Sequence, residues 1–259
     1  MRPRTPSDTA PLSFAYADGR VSYIDEGQGE PIVAIAGLPG SSRDFRWLAP
    51  ALAEHGRCIR LDLPGFGNST RRSFIGMSIE QRGDVVIALL DQLRLSRVTL
   101  LGHSAGATVV ADLACRHADR VERCALISGA GPRCHYPQGL YRAAAQLLRS
   151  EVGRALLKPL LRKVYQLAGF PSYLTDAERL FTAADAARMD FALHARNLAQ
   201  VKQPTLISWA TDDALIPQSI FEETVARVAR ASVLRFADGG HNIQKTYACE
   251  LAQAIQQLG

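Results

Sequence analysis

The sequence predicts an α/β fold: a mostly parallel sheet covered by helices on both faces. Three observations carry this reading. Short apolar runs alternate with stretches of helical periodicity; the runs are apolar throughout instead of on alternate residues; and one of them ends in a Gly-x-Ser-x-Gly turn that opens a helix. A strand facing water on one side would alternate polar and apolar residues. Ile32-Val33-Ala34-Ile35-Ala36 does not, so both its faces are expected to be buried.

Residues 14–16 and 20–24 read as two short strands of a hairpin closed at Asp18-Gly19. The strand 32–36 is stopped by Gly37. Residues 43–55 repeat Phe45, Trp47, Leu48 and Leu52 at helical spacing, and 58–63 form a strand ended by Pro64-Gly65. Ser78 opens a long amphipathic helix carrying Ile79, Val85, Val86, Ala88, Leu89 and Leu93 on or near one face. A strand at 98–101, a helix at 105–117 and a strand at 124–128 follow. The alternation then pauses. From about 132 to 203 the chain reads as helical, with Gly153, Pro159 and Gly169-Phe170-Pro171 as interruptions. It resumes with a strand at 205–209, a helix near 217–230, a strand at 232–236 and a final helix at 243–258. A helical segment between two sheet strands is expected to be an inserted cap, giving a core of 1–131 and 204–259 and a cap of 132–203.

With 259 residues, 47% of them hydrophobic and 21% charged, the chain can bury a sizeable core and has the composition of a globular protein. Residues 1–11 lack the apolar stretch of a secretory signal, and no apolar run approaches the roughly 20 residues of a membrane span. Cys58, Cys115, Cys124, Cys134 and Cys249 are odd in number and scattered, which argues for free thiols in a reducing compartment. A cytoplasmic location and no membrane partner are expected. The net charge of +5 is concentrated: between Arg133 and Lys163 seven basic residues face the single acid Glu151. Neither metal-ligand spacing nor a nucleotide-binding glycine loop occurs, so no metal and no cofactor are expected. Nucleic acid is not an expected partner, because no aromatic or motif support accompanies the basic run.

The chemistry begins at Gly102-His103-Ser104-Ala105-Gly106. Glycines on either side of the serine lack the Cβ atoms that would clash in a tight strand-to-helix turn, so the Ser104 hydroxyl can project above the sheet. A serine hydroxyl needs a base, and the base works best when a carboxylate orients it. His103 adjoins Ser104 and should point away, His55 and His117 sit at helix ends, and His135 and His194 lie in the cap. His241 remains, on the loop after the last strand. The acid should follow an intervening strand, and 205–209 delivers two candidates, Asp212 and Asp213.

This arrangement resembles the α/β-hydrolase superfamily, in which the triad runs serine, acid, histidine along the chain. The resemblance covers nearly all of the sequence from about Val21. It includes Gly37-Leu38-Pro39-Gly40, similar to the family's oxyanion loop, and Asp62-Leu63-Pro64-Gly65-Phe66-Gly67-Asn68-Ser69, similar to its Asp-x-Pro-Gly-x-Gly-x-Ser turn. Asp213-Ala214-Leu215-Ile216-Pro217 matches the acid motif in a register that selects Asp213 and leaves Asp212 as a solvated loop charge. Ala36 stands where the family often has histidine, and Ala210 where a glycine precedes the acid. The resemblance implies an eight-stranded, mostly parallel sheet with a helical cap, a catalytic triad of Ser104, Asp213 and His241, and oxyanion donors at the Leu38 and Ala105 backbone N–H groups.

The expected activity is cofactor-independent hydrolysis of carboxylic esters through an acyl-enzyme. C–C bond hydrolysis of ring-fission diketones would use the same residues. A reading from a different class is a non-catalytic ligand-binding receptor on the same fold. Cap residues Leu147, Leu148, Leu156, Leu157, Leu160, Leu161, Val164, Tyr165 and Phe170 are candidates either for an acyl pocket or for packing the cap onto the body. The basic cap is either a solvated face or a dock for an anionic or carrier-bound acyl substrate.

Overall fold

The computed structural model describes residues 5–258. Eight strands form one sheet: β1 (Leu12–Tyr16), β2 (Gly19–Gly27), β3 (Pro31–Ile35), β4 (Arg57–Leu61), β5 (Val98–His103), β6 (Val121–Ile127), β7 (Thr205–Ala210) and β8 (Ala231–Phe236). Their spatial order is β1-β2-β4-β3-β5-β6-β7-β8. β2 pairs antiparallel with both β1 and β4, and every later pairing is parallel. Every residue of β5 and β7 is buried, whereas the edge strands β1 and β8 are largely half-buried or exposed. Interior parallel strands are buried on both faces and so mostly apolar, and these two carry only Thr99, His103, Thr205 and Ser208 as polar exceptions.

Helices α1 (Ala49–Ala53), α2 (Ile79–Gln92) and α3 (Gly106–Arg116) lie in the first half of the chain. The insert follows as α4 (Gln138–Leu147), α5 (Glu151–Leu167), α6 (Asp176–Ala187) and α7 (Phe191–Gln200). Then come α8 (Gln218–Arg227), α9 (Ile243–Thr246) and α10 (Ala248–Gln256). Alternate residues of β3 divide the core. Val33 and Ile35 join the cluster under α2, α3 and α8, while Ile32 and Ala34 join the one under α1 and α10. That is the side-chain period of two expected of a strand. The insert has its own small core of Leu148, Leu157, Leu161, Tyr165, Leu174, Leu180, Ala183 and Ala184.

Several boundaries depart from the sequence reading. The hairpin turn falls on Ala17-Asp18, with Ala17 at φ 50°, because Tyr16 pairs with Gly19. Gly19 serves close approach instead: a Cβ there would lie 2.7 Å from Thr70 Oγ1. The helix expected at 43–55 is a 3₁₀ turn, Ser42–Phe45, followed by the short α1. The final helix is broken at Tyr247, which separates α9 from α10. Pro159 does not interrupt; it lies inside the continuous 17-residue α5. Its position is exposed, so water can satisfy the carbonyl that loses its amide partner. The break falls earlier, before α5, where Ser150 caps the Gly153 N–H and Gly153 lets the Leu147 carbonyl come close.

One buried ion pair fixes the insert to the body. Asp185 on α6 accepts from Arg71 Nη1 and Nη2 at 3.0 Å and from the Met77 N–H at 2.7 Å. The Asp185 side chain is 1% exposed and that of Arg71 is 6% exposed.

Candidate active site

Strand order reverses between β3 and β5, leaving a crevice beyond their carboxyl ends where open α/β sheets bind ligands. Ser104 stands directly after β5. Its φ of 52° is left-handed, an uncommon and strained conformation for a residue with a side chain. The turn is tight enough that a Cβ on Gly102 would lie 2.6 Å from the Ala107 nitrogen, and one on Gly106 would lie 2.2 Å from the Ile35 carbonyl oxygen. Both glycines are therefore required sterically. The turn is held from outside by the Ser104 N–H donating to the Ile127 carbonyl at 3.0 Å.

After β3, Gly37 and Leu38 pass next to the serine. A Cβ on Gly37 would stand 2.8 Å from Ser104 Cβ and 3.2 Å from Oγ. Among the described residues, neither the Leu38 nor the Ala105 backbone N–H meets a protein acceptor, and both residues line the cavity beside Ser104. The Asp-x-Pro-Gly turn is a brace below this loop. Asp62 accepts from the Ser42 N–H at 2.6 Å and the Asn68 N–H at 2.9 Å, while Ser69 Oγ donates to the Asp62 carbonyl at 2.7 Å.

The loop after β7 carries Asp213, whose side chain is 1% exposed. Its Oδ1 accepts from the Leu215 and Ile216 N–H groups at 2.9 and 3.1 Å, and its Oδ2 lies 2.7 Å from His241 Nδ1. Burial pushes this carboxyl up. The His241 bond and charge, with the two N–H donors, outweigh it and hold the group below its usual range. An ionised carboxylate can only accept, so Nδ1 of His241 carries the proton and Nε2 is left to take one. Ser104 Oγ makes no hydrogen bond to the imidazole in this structure, although both residues line one cavity.

Two neighbours missed in the sequence position His241. Asp212, expected to be a solvated charge, is exposed but accepts from the Gly240 N–H at 2.8 Å and the Gly239 N–H at 3.3 Å. These glycines have φ of 61° and 115°, so the loop that presents His241 depends on them. His103 lines the same cavity as Ser104, its ring centroid lies 4.9 Å from that of His241, and its Nε2 lies 3.0 Å from the His241 carbonyl oxygen. Burial lowers its pKa to about 3, so it stays neutral and donates from Nε2–H to that carbonyl. No local pattern marks either role, because both contacts join residues far apart in the sequence, from the end of β5 and from the loop after β7 to the loop that carries His241.

The cavity has a volume of about 540 Å³. Its aromatic lining comes mostly from the insert: Tyr136, Tyr141, Tyr165, Phe170, Tyr173 and Phe191. His135 also lines it. Asp44, Glu178 and Lys245 are its charged residues. Burial raises the Asp44 pKa against the opposing charge of Lys245. Of the nine cap residues considered for an acyl pocket, only Tyr165 and Phe170 reach this lining. Leu148, Leu157 and Leu161 pack inside the insert, whereas Leu147, Leu156, Leu160 and Val164 face outward. Helical periodicity reveals that a face is apolar but not which way it turns. Among the described residues, no cluster of His, Cys, Asp or Glu is arranged to hold a metal ion.

Residues 30–247 match the model of a family described as alpha/beta hydrolase fold. The chain is 30% identical over 242 residues to the dihydrolipoyllysine-residue acetyltransferase component of the acetoin cleaving system of Pseudomonas putida, spanning 88% of this chain and 62% of that protein's length. It is 27% identical to 2-hydroxymuconate semialdehyde hydrolase of Pseudomonas sp. (strain CF600), over 91% of this chain and 89% of that one. Among solved structures, the enol-lactonase from Burkholderia xenovorans LB400 superposes with a TM-score of 0.78 at 24% identity, covering 95% of this chain and 99% of the other.

Proposed function

From the premise that this chain belongs to the α/β-hydrolase fold family, we propose that it is a serine hydrolase of carboxylic esters. Ser104 is the nucleophile, His241 the general base and acid, and Asp213 the group that orients the imidazole. The observation that carries this reading is the 2.7 Å Asp213–His241 bond in the same cavity as a serine on a strained left-handed turn.

In the proposed cycle, Ser104 Oγ attacks the ester carbonyl carbon and its proton passes to His241 Nε2. The carbonyl oxygen becomes an anion met by the Leu38 and Ala105 N–H groups. Loss of one such donor typically lowers the rate on the order of 100- to 1,000-fold. His241 then protonates the departing alkoxide, leaving Ser104 acylated. Water, deprotonated by the same Nε2, releases the acid and restores the serine. The step requires Oγ and Nε2 to come within about 3 Å, a distance that often closes only when substrate is bound. Rotation of Ser104 about χ1 is the soft coordinate for it.

An aromatic cavity of about 540 Å³ favours compact or ring-bearing esters over long acyl chains. C–C bond hydrolysis is the second reading, favoured by the likeness to 2-hydroxymuconate semialdehyde hydrolase along most of both chains. A fluorophosphonate probe should label Ser104 and should fail to label Ser104→Ala. Profiling p-nitrophenyl esters from acetate to laurate, beside a thioester and a ring-fission diketone, should show turnover falling at long chains. Labelling that persists in Ser104→Ala ends the proposal.

A further inference from the structure

Large apolar side chains that face water are concentrated on one part of this molecule. Of the twelve that are exposed among the described residues, seven lie on α4 and α5: Leu140, Leu147, Val152, Leu156, Leu160, Val164 and Leu167. The others are dispersed; Leu12 and Val233, for example, are on opposite edge strands. On α5, Val152, Leu156, Leu160 and Val164 recur every fourth residue, and Leu167 continues the row. The row runs along about 22 Å of helix. The insert's own core does not need them, because α5 fills it with a separate row, Leu157, Leu161 and Tyr165.

The stripe is set in positive charge. From Gln138 to Leu167 there are six basic residues and one acid. Arg154 and Arg162 are paired, with Glu151 and Asp176. Arg142, Arg149, Lys158 and Lys163 are exposed and make no ion pair among the described residues. Lys163 stands three residues from Leu160 and four from Leu167, so it borders the stripe directly. The occupant must therefore accept aliphatic side chains and carry negative charge. A second copy would bring the same basic face against this one. An anionic lipid surface meets both requirements: its acyl boundary takes aliphatic groups without demanding a matching shape, and its headgroups supply the charge.

We propose that the α4–α5 face of the insert docks peripherally on anionic membrane surfaces, with the Val152–Leu167 row in the headgroup–acyl boundary and the unpaired Lys and Arg residues at lipid phosphates. This contact needs no transmembrane helix, and among the described residues none is long and apolar enough to span a bilayer. The absence of spanning segments, which underlay the expectation of no membrane partner, does not bear on it. Ala168, Gly169 and Phe170 follow α5 directly and line the cavity, so docking would set the cavity beside the lipid surface.

The test is co-sedimentation of the full chain with phosphatidylcholine vesicles, with and without phosphatidylglycerol. Binding should need the anionic lipid and should fade as salt rises. It should be lost in Leu156→Gln/Leu160→Gln and drop about five-fold in Lys163→Gln. These positions are exposed and away from the catalytic groups, so hydrolysis of a water-soluble ester should be unchanged. Ser104→Ala should bind vesicles as the parent does, separating this inference from the catalytic proposal. Absence of binding to anionic vesicles, equal binding to neutral ones, or undiminished binding by the double leucine variant overturns the proposal. So does a solution dimer that the double variant dissolves, since that assigns the stripe to a second copy.

Discussion

Asp212 and Asp213 are adjacent and chemically identical, yet their replacement by asparagine should have effects that differ by orders of magnitude. At Asp213, Oδ1 accepts two backbone N–H groups and Oδ2 faces His241 Nδ1. An asparagine has one oxygen and one NH₂ to put in those places. If the oxygen keeps the Leu215 and Ile216 donors, the NH₂ confronts Nδ1, which must then be unprotonated, and the proton moves to Nε2. The imidazole is thereby locked in the tautomer that cannot take a proton from Ser104. If the amide turns the other way, its NH₂ opposes two N–H donors inside a side-chain site that is 1% exposed. Losing the tautomer in such a triad lowers kcat by about 10⁴, which is about 5.4 kcal/mol of transition-state stabilisation. At Asp212, asparagine keeps one acceptor for the Gly239 and Gly240 N–H groups, and the site is open to water. Its loss should stay below about 1 kcal/mol, less than ten-fold in rate. Steady-state hydrolysis of p-nitrophenyl acetate, with active sites counted by the fluorophosphonate, measures both. If Asp213→Asn keeps a tenth of the parent kcat, or Asp212→Asn falls as far as Asp213→Asn, the assignment of the acid is wrong.

Two predictions concern stability. Asp185→Ala should destabilise the fold by about 3–5 kcal/mol, because it strands the buried Arg71 guanidinium and removes an acceptor from the Met77 N–H. Urea unfolding reads this, and a loss below about 1 kcal/mol would show that water replaces the carboxylate. Acid sensitivity should come partly from two buried histidines. Burial lowers His103 from 6.5 to about 3 and His194 from 6.5 to about 4, so below pH 6.5 the unfolded chain binds protons that the folded chain refuses. Each neutral histidine contributes stability that is complete above pH 6.5. It fades at up to about 1.4 kcal/mol per pH unit as the folded pKa is approached. His194→Gln keeps a donor for the Ala130 carbonyl, which the histidine reaches at 2.8 Å, and removes one titration. Its urea midpoint should change less between pH 7 and pH 5 than the parent's, and an equal change counts against the burial argument.

What could be read from the sequence was whatever depends on residues close along the chain. The strand–turn–helix at Ser104 was legible because the same five residues both demand and permit the turn, through glycines whose Cβ atoms would strike Ala107 and Ile35. Strand positions were legible because a strand buried on both faces is mostly apolar, with only isolated polar residues such as Thr99 in β5 and Ser208 in β7. Ends were less so. The pairing of Tyr16 with Gly19 puts the turn on Ala17-Asp18, and the glycine that reads as a turn residue serves close approach to Thr70, 51 residues away along the chain. The contacts that hold His241 were illegible for the same reason. Asp212 and His103 act on a loop far along the chain, and their neighbours in sequence give no sign of it.

The cap shows what periodicity leaves open. A row such as Leu157, Leu161, Tyr165 and a row such as Leu156, Leu160, Val164 are interchangeable in sequence, offset by one residue, or 100° around the helix. Only the position of α6 decides that the first is core and the second faces water. The aromatic part of the cavity lining is chiefly tyrosine (Tyr136, Tyr141, Tyr165 and Tyr173), supplied by the insert's helices and the segments joining them. This separates two properties that a leucine-rich lid would have combined. On the two proposals, ester selectivity would belong to the inner, aromatic surface and membrane association to the outer, aliphatic and basic one. The two surfaces can therefore be altered independently: substitutions at Leu156 and Leu160 should move membrane binding and leave ester preference alone, whereas substitutions among Tyr141, Tyr165 and Phe170 should change ester preference without altering vesicle binding.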